Sequence, residues 1–360
     1  MKVLHVAPLN VAGVPYLMAD MQRRFGAETT LVTLHQSTLA FPEDICLNLP
    51  LPRNKLAHWW RVRKSGDPIP IERYEASSGS TTPVHSPKNL FEDVYFRYDD
   101  RRREQAVEEA IERHRLDQFD VIHYDGGMDF FRDSRIAKRW KAQGKKIVCH
   151  YMGSDLRVRG IVPEMDSLSD LNLTNESDHL LLHRDIHYLY IPFDAKPYTS
   201  ASSHPGPLRI VHAPTNRSMK GTAFILPVIE AVKKVREVEF VLIENTRHDE
   251  VLRIKQSCDI AIEQVGNLGG TGYGRNSLET LAMGIPTITE MTPDYLVWLP
   301  ENPFILATRS TLYEVLLNII DQSDLREEFA NKGRSWVQRY HSYESVHARL
   351  EQLYREHLIL

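Results

Sequence analysis

Gly269, Gly270, Gly272 and Gly274 crowd into a short run that leads straight into a helical pattern from about Arg275 or Asn276. A loop of this composition lets the backbone approach a ligand closely. The start of the helix would add unpaired N–H groups and the positive end of the helix dipole, which together attract phosphate. Glu279 lies roughly one turn further on, where a carboxylate could reach a neighbouring ribose. The plainer alternative is the glycine-rich turn of any α/β domain. No Lys-Ser/Thr pair follows the glycines, so the loop is not a P-loop, and Gly-x-Gly-x-Gly is not the dinucleotide fingerprint.

Further candidates lie elsewhere in the chain. Arg217 and Lys220 occupy a polar loop, PTNRSMKG, directly after an apolar strand pattern. A guanidinium and an ammonium at that spacing suit a diphosphate, or they are two solvated loop cations. Tyr151 to Arg157 sets Gly153, Ser154, Asp155 and Arg157 just past another buried strand, where α/β folds keep polar ligand contacts. His179, His183 and His187 recur at helical spacing, which allows a metal, but His187 reads as the start of a strand and no further ligand is evident. His183-Arg184-Asp185 lacks the downstream asparagine of a kinase loop. There is no Gly-x-Ser-x-Gly elbow, and no carboxylate pair reads as a glycosidase acid and base. Arg53 to Lys64, RNKLAHWWRVRK, suits an anionic membrane surface or an anionic acceptor, or is a basic helix with its tryptophans packed inward.

The elements that must position these residues alternate. Lys2–Ala7 reads as a buried strand, the loop with Gly13 follows, then a helix over Tyr16–Phe25 and a strand over Thr29–Leu34. This opening predicts a parallel, doubly wound sheet with ligands at the carboxyl ends of its strands. Gly13 is then either a ligand loop or an ordinary turn. Residues 40–95 read as an irregular insert, and Ser65–Lys88 as a mobile loop. Asp99–Arg115 reads as an exposed helix, Phe119–Tyr124 and Lys145–His150 as strands. A Pro- and Ser-rich stretch near 195–205 marks a boundary, after which the strand–helix pattern restarts at Leu208 and closes with three helices. The expected domains are 1–195, 205–340, and a C-terminal helix over 341–360 packing back on the first. Two similar α/β halves imply a cleft that takes the ligand.

Composition narrows the partners. The chain has 360 residues, a hydrophobic content of 42% and a formal net charge of −4. That balance fits a soluble globular protein and argues against nucleic acid. The cysteines, Cys46, Cys149 and Cys258, are far apart and form no disulfide framework, which fits a reducing compartment. The start, MKVLHVAPL, reads as a short strand ending in a proline rather than as a signal peptide, and no apolar run reaches membrane-span length. A cytoplasmic location is expected, with residues 53–64 as the point of any peripheral contact with the inner face of the membrane.

Taken together, the motif at 272–286, the Arg217 and Lys220-Gly221 loop, Gly153–Arg157 and Ile191-Pro192 resemble the two-domain glycosyltransferases of the GT-B fold, specifically the retaining group known as family 4. The resemblance covers essentially the whole chain. It implies two Rossmann-like doubly wound domains facing across a cleft, and transfer of a sugar from a nucleotide-sugar donor without a divalent metal or other cofactor. The implied donor-binding residues are Gly13, Arg217, Lys220, Thr271, Gly272, Tyr273, Gly274, Arg275, Asn276 and Glu279. Glu279 would take the ribose hydroxyls. The implied catalytic residues are His150 and Asp155. A carbohydrate, lipid-linked or small-molecule acceptor would sit on the first domain, in polysaccharide, glycolipid or related assembly. Two positions depart from the family pattern. Thr271 stands where a first glutamate is usual, and Met152 where a histidine is usual, with His150 two residues earlier. These departures keep open a catalytically weak nucleotide- or partner-binding subunit as the alternative. A sugar-nucleotide epimerase on the same fold is disfavoured by Arg217, Lys220 and Glu279.

Overall fold

The computed structural model describes residues 1–37, 40–49, 82–85, 90–153, 155–199, 205–266 and 272–360. The basic-aromatic stretch 53–64, most of 65–88, Ser154, and Gly269, Gly270 and Thr271 lie outside the described residues. The chain divides into two units. One runs up to Pro192 and takes in Val346–Leu360, and the other comprises Phe193–Ser345.

In the first unit, β1 (Lys2–Ala7), β2 (Glu28–Thr33), β3 (Ile45–Cys46), β4 (Val121–Asp125), β5 (Lys146–Tyr151), β6 (Leu171–Thr174) and β7 (His187–Tyr188) form one parallel sheet. Its order is β3-β2-β1-β4-β5-β6-β7. The crossovers carry α1 (Val14–Arg24), α2 (Leu90–Arg113), α3 (Arg135–Ala142), α4 (Pro163–Leu168) and α5 (His179–Leu182). Alternation along the strands separates two faces. Leu4, Val6, Ile122, Tyr124, Ile147 and Cys149 lie on one face in a core with Val107, Ile111, Ile136, Trp140 and Met165. The other face carries His5, His123, Asp125 and His150, brought side by side by the registers His5↔His123 and Asp125↔His150.

The second unit repeats the plan. Here β8 (Leu208–His212), β9 (Val238–Leu242), β10 (Ile260–Gln264), β11 (Thr287–Thr289) and β12 (Ile305–Leu306) lie parallel in the order β12-β11-β10-β8-β9. The helices are α6 (Arg217–Lys220), α7 (Thr222–Val232), α8 (His248–Lys255), α9 (Arg275–Ala282), α10 (Pro293–Trp298), α11 (Leu312–Asp321) and α12 (Ser323–Trp336). Ile210, Ile260, Ile262 and Ile288 pack with Ile225 and Ile229 of α7 and with Leu312, Leu316 and Ile319 of α11. Each such side chain contributes about 1.5–3 kcal/mol by leaving water. The last helix, α13 (Tyr343–Glu356), reaches the first unit with its residues from Val346 onward.

The strand order fixes where function can sit. In the first unit the order reverses between β1 and β4, and in the second between β8 and β10. At such a switch point the loops after neighbouring strands leave in opposite directions and open a crevice at their carboxyl ends. The loop after β1 contains Gly13. The connection after β8 carries Arg217 and Lys220, expected in a loop, on the short helix α6, and the connection after β10 leads to α9.

Candidate functional site

The switch point of the second unit is built around two buried carboxylates. Glu263 is the next-to-last residue of β10, on an apolar strand, and is only 2% exposed. Its Oε1 pairs with the ammonium of Lys220. Its Oε2 accepts from Asn276 Nδ2 at 2.5 Å and Ser277 Oγ at 2.8 Å, both in the first turn of α9. Burial alone would raise the Glu263 pKa, but Lys220 and these hydrogen bonds hold it below the usual carboxylate value. Lys220 also donates to Gln264 Oε1 at 3.1 Å.

Lys220 is held locally as well. Asn216 caps α6 by accepting from the backbone N–H groups of Ser218 and Met219. Gly221 then turns the chain with φ of +68°, so close to β10 that an added Cβ would lie 1.7 Å from the Val265 carbonyl oxygen. Arg217 pairs with Glu244 at 2.6 Å, on the surface. Each of the two cations expected to meet a diphosphate therefore already faces a carboxylate.

The second carboxylate is Glu279, in α9 and 2% exposed. It accepts from Lys255 Nζ at 2.6 Å and Arg275 Nε at 3.1 Å, and lies 2.6 Å from His248 Nε2. Burial would raise its pKa, but Lys255, followed by His248 and Arg275, brings it down to about 2. Lys255, itself 1% exposed, has its charge matched by this carboxylate.

The approach to α9 differs residue by residue. Gly272 has φ of +121°, and a Cβ there would lie 2.4 Å from Met291 Cγ, so the loop is pressed onto the segment that follows β11. Gly274 is the N-cap of α9 and offers no side chain to cap it, and the Ser277 N–H turns back to the Gly274 carbonyl at 3.0 Å. Tyr273 turns into an aromatic cluster with Tyr295, Phe304, Trp336 and His341. Its hydroxyl lies 3.3 Å from His341 Nε2. Arg275 and Asn276 are directed to Glu279 and Glu263, as given above.

In the first unit, Gly13 is the left-handed N-cap of α1 at the switch point. His150 is fully buried, with Nδ1 3.5 Å from Asp125 Oδ1 and neither ring nitrogen in a hydrogen bond. The other carboxylate oxygen of Asp125 lies 3.0 Å from His5 Nδ1. Burial would raise the Asp125 pKa, but His5 and His150 push it well down. Tyr354 of α13 closes the cluster: Gln22 donates to its hydroxyl at 3.0 Å, and His123 Nε2 meets the same oxygen. Asp155 accepts from the Met152 backbone N–H at 2.9 Å and lies 3.6 Å from Arg159, so it braces its own turn. Arg157 pairs with Glu176 and Asp178. The three spaced histidines go separate ways: His179 to Thr174, His183 to Asp166, and His187 to His357. Among the described residues no group of His, Cys, Asp or Glu is placed to hold a metal ion, and no helix is long and apolar enough to cross a membrane.

Glu263, His248 and Lys255, and His5, His123 and Asp125, were not singled out from sequence. Glu263 was hidden as a lone acid in an apolar strand. The signal available for the histidine cluster was the shared position of His5, His123 and His150 on strands that pair.

No protein-family model matches the chain, and no curated protein matches it by sequence. Solved structures do share its fold. Anabaena Alr3699/HepE in complex with UDP is 11% identical, with a TM-score of 0.60, over 99% of this chain and 100% of that one. An alpha-glucosyltransferase in complex with UDP and a 13-mer DNA is 8% identical, with a TM-score of 0.61, over 98% and 99% of the two chains. The catalytic domain of starch synthase IV from Arabidopsis thaliana, bound to ADP and acarbose, is 10% identical, with a TM-score of 0.60, over 100% of both. The architecture is GT-B, two Rossmann-like α/β units.

Proposed function

We propose that the chain is a glycosyltransferase that moves a sugar from a nucleotide-sugar donor to a carbohydrate, lipid-linked or small-molecule acceptor. The observation that carries this reading is the switch point of the second unit, where Lys220 and two side chains of the first turn of α9, Asn276 and Ser277, are tied to one carboxylate, Glu263. In the reaction the bond from the sugar's anomeric carbon to the diphosphate oxygen breaks, and negative charge grows on the leaving diphosphate. An ammonium and a helix N-terminus fixed beforehand stabilise that charge without reorganising. Gly272, Gly274, Arg275 and Asn276 line the approach, and Arg217 adds a surface charge. The UDP and ADP held by structures of the same fold support a nucleoside diphosphate as the ligand class.

The finer assignments belong to the same proposal. They are retention of configuration, independence of metal, the ribose contact of Glu279, a part for Thr271 and Gly13 in donor binding, and acceptor binding by the first unit. Action in polysaccharide or glycolipid assembly, at the inner face of a membrane through 53–64, belongs there too. Tyr273 serves this site by anchoring the loop through its aromatic neighbours. Catalysis by His150 and Asp155 requires the segment after β5 to open, because His150 is fully buried and Asp155 is bonded to its own turn.

A second reading, a subunit that binds nucleotide without transferring sugar, draws on Glu279, whose carboxylate is already engaged by three partners. A panel of nucleotide sugars, offered with candidate acceptors in the presence of a chelator, separates the two. Acceptor-dependent release of nucleoside diphosphate is expected. Thermal stabilisation without release favours the binding subunit, and the absence of both rejects the two readings together.

A further inference from the structure

A buried carboxylate is costly unless its oxygens are satisfied. Glu263 satisfies its own in a particular way. One oxygen goes to the Lys220 ammonium, and the other to Asn276 and Ser277 in the first turn of α9. It therefore connects two groups that attract anions but stem from different loops, the one after β8 and the one after β10. Gln264 accepts a second Lys220 N–H, so two of the three ammonium donors are used and one is left for a phosphate oxygen.

We propose that Glu263 is a positioning residue that clamps the Lys220 ammonium against the amide end of α9, so that both meet the same diphosphate. The inference rests on the nucleotide-sugar reading of this site. A lysine stem has several rotatable bonds, and anchoring it beforehand removes entropy that binding would otherwise cost. The negative charge of Glu263 works against an incoming anion. It is in contact with Lys220, so the pair is close to neutral, and the gain comes from placement rather than net charge. Length is therefore critical: a side chain one methylene shorter keeps the charge but cannot span from Lys220 to α9.

The test is a double-mutant cycle read by calorimetric titration, with inorganic pyrophosphate and with UDP, ADP and TDP as separate probes. Glu263→Ala is expected to weaken pyrophosphate and the preferred nucleotide about tenfold, and Glu263→Asp about fivefold. Neither is expected to change affinity for the corresponding nucleoside, which lacks phosphates. In a Lys220→Met background both effects should shrink below about twofold, because a residue acting through another loses its effect with it. Wild-type affinity in Glu263→Asp, or an undiminished loss in the Lys220→Met background, overturns the clamp while leaving the nucleotide reading intact. Coupled binding of pyrophosphate with no nucleotide bound upholds the clamp and rejects the nucleotide reading. No binding of either probe by the wild-type protein overturns both. If Glu263→Ala does not fold, Glu263→Asp decides alone.

Discussion

Glu279 and Lys255 form a buried ion pair whose partners are not equal. The carboxylate has His248 and Arg275 besides, whereas the ammonium is matched by this carboxylate. Glu279→Ala therefore leaves an uncompensated charge in the interior and is expected to cost about 3–5 kcal/mol in urea unfolding, before any question of ligand arises. The pH dependence has a definite sign. The folded pKa, about 2, lies below the ordinary carboxylate value. Its contribution is thus complete above the unfolded pKa and is lost as pH falls from about 4 towards 2. It is worth on the order of 3 kcal/mol. Glu279→Gln should flatten this acid limb, and an unchanged limb would mean that the carboxylate is not ionised in the fold. At this scale the sequence was partly legible. Glu279 could be found because it follows glycines by a fixed interval. Lys255 and His248 lie 24 and 31 residues upstream of it, in a helix whose pattern looks ordinary, and no local spacing joins them to a carboxylate. His5 and His123 were invisible for the same reason, since strand pairing rather than chain distance brings them together.

The strands and helices of the two sheets were more legible than the contacts between side chains. Apolar runs separated by amphipathic segments announce parallel strands with crossover helices, and the long elements fell where that pattern placed them. The two-residue strands β3 and β12 were missed because two residues carry no period, whereas β7 begins at His187, where a strand start was expected. The exposed helix expected over Asp99–Arg115 starts earlier, at Leu90, and is not exposed throughout: it buries Val107, Ala110 and Ile111, whose spacing was masked by the charges between them. Glycines between elements show how closely the parts must meet. Gly26 has φ of +90° with nothing within 4 Å of an added Cβ, whereas Gly221 combines φ of +68° with a clash against the Val265 carbonyl. Gly26→Ala should then cost about 1–2 kcal/mol, the strain of a left-handed residue alone. Gly221→Ala should cost at least twice that and also displace Lys220 from β10. Denaturant midpoints compare the two, and equal costs would show that α6 and the end of β10 do not press on each other.

Each of the two units is a parallel sheet with one reversal of strand order, and the residues proposed to act cluster at those reversals rather than at any single motif. The α/β class and the repetition of the pattern follow from the chain's punctuation. Which loops share a switch point follows only from the strand order, and that order is set by long-range packing. The C-terminal residues add a link of this kind, since Tyr354 joins Gln22 and His123 across most of the sequence. The central claim is that the second unit binds a nucleoside diphosphate at Lys220 and the amide end of α9. It is tested most directly by titrating UDP, ADP and TDP into the wild-type protein and into Lys220→Met. The account predicts saturable binding of at least one of them by the wild type, weakened about tenfold or more in Lys220→Met by loss of a charge-assisted contact. Equal affinity in the two proteins, or no binding of any diphosphate by the wild type, would contradict it.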